Sequence, residues 1–102
     1  MIKKILLLED DPPMREIVAQ TASKLGYKVL SAASWLEARD KLEQEPVDAL
    51  IVDVSFDHGS GVRAVGYFEA KYGDSKVLVI TGGVRDQGPR INWAKTITAW
   101  AA

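Results

Sequence analysis

Cysteine is absent from the 102 residues, which excludes disulfides and thiolate metal sites. Neither charge is in excess. Thirteen basic and 14 acidic residues leave a net charge of −1, so nothing global points to nucleic acid or an anionic membrane. Long hydrophobic runs are missing too. No segment approaches the ~20 apolar residues of a spanning helix. The short run after Lys3 and Lys4 stops at Glu9, well below a signal-peptide core. There is no internal repeat or low-complexity segment. These absences leave a soluble protein, expected in the cytoplasm, with neither nucleic acid nor membrane as a partner.

What is present reads as one small domain with a real core, at 47% hydrophobic residues. Ile5-Leu6-Leu7-Leu8 fits a strand buried on both faces, and it runs into three acids, Glu9, Asp10 and Asp11. Carboxylates so placed repel one another unless a cation sits among them, and a divalent metal is the simplest answer. Val47 to Val52 has the same layout and ends at Asp53; Lys76 to Ile80 ends at Thr81. Tyr27 to Ser31 supplies a further strand.

Between the strands, Met14, Ile17, Val18, Thr21, Ala22 and Leu25 recur at helical spacing, with Pro12-Pro13 before them and Gly26 at the terminus. Ser34 and Glu37 have capping-box spacing ahead of Leu36, Ala38 and Leu42, and Pro46 marks the stop. A third helix is expected over 62–72, with Val65, Phe68, Ala70 and Tyr72 as its apolar positions. Strands alternating with helices in this rhythm indicate a parallel α/β sheet with right-handed crossovers. Ligands of such sheets sit beyond the carboxyl ends of the strands, where the acids and Thr81 are placed. From 84 to 90 the chain reads as a loop. Trp93, Ile97 and Trp100 then share a helical face, although Thr96-Ile97-Thr98 also suits a strand; a helix is favoured.

From Ile5 to about Gly83 these marks together resemble the receiver domain of two-component response regulators. They are Glu9-Asp10-Asp11 with Met14-Arg15 after the first strand, Asp53 after the third, Gly61 eight residues beyond it, and Thr81 after the fourth. The resemblance implies a doubly wound, flavodoxin-like sheet. It implies that Asp53 is the nucleophile that takes a phosphoryl group from a histidine kinase or phosphotransfer protein. Mg2+ would be held by Glu9, Asp10, Asp53 and the backbone carbonyl of Ser55. Thr81 would bond a phosphoryl oxygen and carry the switch to a downstream protein. Such a chain is a signalling receiver, not an enzyme beyond its own phosphorylation and dephosphorylation. Ser55 and Gly83 are small and would admit water, so the phosphorylated state should be short-lived.

Departures accompany the resemblance. Asp57 stands where receivers have a proline. Their usual fifth strand, its Lys and its aromatic residue, and the final helix have no secure counterpart; neither Lys95 nor Arg85 sits in the family's context. The expected organisation is therefore a receiver-like core over 1–83, with an atypical tail over 84–102 packing on the core or on a second chain, and a homodimer through that tail is expected. Bland readings stand beside these assignments. Asp11 is expected to be exposed or to cap the following helix, His58 to be a solvated loop residue, and Thr81 alone could be a turn residue. The alternative function is a degenerate receiver acting as a phosphorylation-independent interaction or dimerisation module. A small metal-dependent phosphatase is disfavoured for want of a second acid.

Overall fold

The computed structural model of the chain describes residues 2–53, 60–72, 76–80 and 96–100. Its elements alternate: β1 (Lys4–Leu8), α1 (Pro12–Lys24), β2 (Lys28–Ala32), α2 (Trp35–Gln44), β3 (Ala49–Asp53), α3 (Ser60–Tyr72) and β4 (Lys76–Ile80). The four strands are parallel in the order β2-β1-β3-β4, and among the described residues there is no fifth. The order reverses between β1 and β3, which makes their carboxyl ends the switch point of the sheet. Leu8 pairs with Val52 there, so Glu9 and Asp53 both lie one step beyond the paired apolar residues.

Ile5, Leu6, Leu7 and Leu8 are fully buried, as are Ala49, Ile51 and Val52. Because side chains alternate across a strand, each strand feeds two cores. Ile5, Leu7, Ala49 and Ile51 pack with Met14, Val18 and Ala22 of α1. Leu6, Leu8, Leu50 and Val52 pack with Ala38 and Leu42 of α2 and Ala64 and Phe68 of α3.

Local chemistry sets the helix ends. The Asp11 carboxylate accepts the Met14 N–H at 3.1 Å, capping α1 ahead of the two prolines. At the other end Gly26 has φ 97. The Gly26 N–H donates to the Ser23 carbonyl at 3.0 Å and the Tyr27 N–H to that of Ala22 at 3.2 Å, the paired bonds of a Schellman closure. The Ser34 hydroxyl accepts from the Glu37 N–H at 3.2 Å and caps α2. The Glu37 carboxylate reaches back to the Ala33 N–H, at 3.5 Å, instead of to Ser34 itself.

Several expected details differ. Ile17 is 52% exposed and Leu36 62% exposed, because the sheet covers only the narrow stripes Met14, Val18, Ala22 and Ala38, Leu42. Ala70 is exposed, and Ala64 takes the buried place beside Phe68. Tyr27 lies outside β2: it is the residue after the Schellman glycine, and its buried ring packs under α1.

Residues 96–100 are helical. Ile97 has no exposed surface and joins the α1-side core, with Trp100 packed against it. The Tyr27 hydroxyl donates to the Ile97 carbonyl at 2.9 Å, and burial pushes that hydroxyl's pKa up, so it stays a donor. Trp93 lies outside the described residues.

Candidate functional site

Among the described residues Glu9 and Asp53 are the buried charged side chains, at 1% and 3% exposure. Both stand at the carboxyl ends of the central strands. The Glu9 peptide is held from several directions. Its N–H donates to the Ala32 carbonyl at 3.1 Å, extending the β1–β2 pairing by one residue. Its carbonyl accepts from the Arg15 guanidinium at 2.9 Å. Its Oε1 accepts the Asp11 N–H at 3.1 Å. The second carboxylate oxygen, Oε2, is buried with no hydrogen-bond partner among the described residues.

Burial drives the Glu9 carboxyl from 4.5 up to about 7. The Asp11 N–H opposes the rise, and the negative charges of Asp53 and Asp10 add to it. Carboxylates from both strand ends therefore act on Glu9. Asp10 and Asp11 are exposed, and Asp11 is occupied as the cap of α1.

A buried acid with an orphaned oxygen, crowded by two further acids, is a donor set that suits a hard cation. No three of the described His, Asp or Glu side chains close into a metal-holding group. Mg2+ does not require one, since it keeps several waters and takes one or two carboxylates. The residues present fit such an ion. Ser55, Asp57, His58, Thr81 and Gly83 lie outside the described residues.

Arg15 contacts the site although the spacing argument gave it no role. The legible signal was its position: four residues after a capping Asp, a long cation in the first turn can reach back to the loop before the helix.

A doubly wound sheet with buried carboxylates at its switch point defines a class of small α/β domains that meet their ligand at one edge. The family described as the response regulator receiver domain matches residues 5–94, and the chain belongs to it. It is 31% identical over 81 residues to the response regulator receiver protein CpdR of Brucella abortus, covering 79% of this chain and 68% of CpdR. Response regulator protein PilR of Pseudomonas aeruginosa is 32% identical over 79 residues, which are 78% of this chain but span only 18% of PilR. Among solved structures, the response regulator TrrA of Thermotoga maritima in complex with Mg(2+)-BeF superposes with a TM-score of 0.71. It is 26% identical, over 99% of this chain and 82% of TrrA. TrrA in complex with the histidine kinase ThkA gives a TM-score of 0.70 at 27% identity, over 91% of this chain and 80% of that one. Receiver domains are signalling modules, and no described helix is long and apolar enough to cross a membrane.

Proposed function

We propose that the chain accepts a phosphoryl group on Asp53 from a phosphohistidine of a sensor kinase or phosphotransfer protein, with Mg2+ at Glu9, Asp10, Asp53 and the Ser55 carbonyl. The observation that carries this reading is Glu9: a buried carboxylate with a spare oxygen, raised toward neutrality by burial and by Asp53 and Asp10. Neighbouring TrrA supports it, being described both with Mg(2+)-BeF and with a histidine kinase.

In the step itself a carboxylate oxygen of Asp53 attacks phosphorus in line, the P–N bond breaks, and its electron pair stays on the donor imidazole, which takes up a proton. The product is an aspartyl phosphate, which water later hydrolyses. A bound divalent cation supplies neutralisation of the phosphoryl oxygens. Glu9 and Asp10 would hold that cation, the apolar ends of β1 and β3 fix the approach of Asp53, and the Thr81 hydroxyl would donate to a phosphoryl oxygen to pass the signal on.

A second reading is a phosphorylation-independent interaction or dimerisation module. It is favoured by the tail helix, whose Ile97 fills the α1-side core of the domain. One experiment separates the two. Incubation with acetyl phosphate should add one phosphate per chain with Mg2+ and none after chelation, and Asp53→Ala should abolish it. No incorporation into the wild type would leave the second reading.

A further inference from the structure

The phosphoacceptor reading leaves one cation of the acidic motif without a task. Arg15 lies in the first turn of α1, with its N–H bonded to the Asp11 carbonyl at 2.8 Å. Its half-buried side chain turns back, and Nη1 donates to the Glu9 carbonyl at 2.9 Å. That carbonyl belongs to the peptide unit joining Glu9 to Asp10. Whatever fixes its plane fixes how the two acids are set relative to each other. The Glu9 N–H and Oε1 meet backbone groups, the Ala32 carbonyl and the Asp11 N–H, and the Asp10 side chain bears on the Glu9 carboxyl. Arg15 is the side chain that reaches the Glu9 carbonyl. Its guanidinium meets a carbonyl and not a carboxylate, so the clamp does not occupy Glu9 Oε2.

We propose that Arg15 is a positioning residue of the acid pocket: by clamping the Glu9–Asp10 peptide it holds the two carboxylates in the setting that binds Mg2+. The inference rests on reading the pocket as a divalent-cation site. Residues that orient ligands from behind a metal set its affinity by about 10- to 100-fold.

The test is calorimetric titration of the full chain with Mg2+, for wild type, Arg15→Ala, Arg15→Lys and the remote Tyr27→Phe. Unfolding temperature without metal is measured in parallel. Arg15→Ala should raise the Kd by about 10-fold or more, and Arg15→Lys should recover part of the loss, since an ammonium can still donate to the carbonyl without the planar fork. Tyr27→Phe should lower stability and leave the Kd in place, which separates positioning from general loosening. If Arg15→Ala does not fold, Arg15→Lys carries the comparison. Unchanged affinity in both Arg15 variants while the wild type binds Mg2+ overturns the role of Arg15 alone. A wild type that binds no Mg2+ overturns the cation-site reading, and this inference with it.

Discussion

At Glu9 the same burial that readies an oxygen for a cation works against the fold when no cation is there. The carboxyl moves from 4.5 in the unfolded chain to about 7 in the folded one. Below the lower value both states are protonated and nothing is lost. As pH rises between the two, the unfolded state gives up its proton first, and above the upper value the loss is complete, about 3 kcal/mol for such a gap. The metal-free protein should therefore lose Tm from about pH 5 to about pH 8, and Glu9→Gln should flatten that slope. Mg2+ should restore stability at the alkaline end, where the carboxylate is charged. An identical pH profile for wild type and Glu9→Gln would defeat this account. Asp48 works in the opposite sense: the N–H groups of Lys3 and Lys4 hold its carboxyl below the usual range, so its contribution is present above that range and fades in acid.

Among the elements, the legible parts of the sequence were those whose physics is local. Four aliphatics ending in acids can hardly be anything but a strand buried on both faces, and β1 is one. The Ser34 cap and the Gly26 terminus are decided within a few residues, and both appear where their chemistry put them. Less legible was how wide a stripe each helix buries. Three- and four-residue spacing admits Ile17 and Leu36, and only the narrow stripe that the sheet covers decides against them. Tyr27 misled for a similar reason. Its β propensity suits a strand, but its hydroxyl is needed by a carbonyl 70 residues away. That long-range bond fixes what the 96–100 helix contributes. Ile97→Ala should cost about 2–4 kcal/mol, as a fully buried aliphatic does. Tyr27→Phe should cost about 1 kcal/mol, through the carbonyl it leaves unsatisfied. Urea melts of both variants check the pair, and an Ile97→Ala effect below that of Tyr27→Phe would mean the helix does not occupy this seat in solution.

For the whole molecule, the question is which copy supplies the helix over 96–100 that packs on the α1-side core. The described sheet stops at β4, where Val79 is 40% exposed, and the next described segment, 96–100, lies against α1. Ile97 and Trp100 of the described segment pack with the α1-side core. Those contacts are indifferent to which copy supplies the helix, so a second chain can fill the same seat with the same Tyr27 bond. On this basis an exchanged-tail dimer should form as concentration rises through the micromolar range, visible as a rising mass in light scattering. Ile97→Asp, which cannot enter the seat as a charged side chain, should remove the dimer and lower stability together. A mass that stays monomeric throughout would show that each tail keeps to its own core. A dimer that persists in Ile97→Asp would place the contact elsewhere, with the exposed apolar residues of α1, α2 and β4 the next surfaces to test.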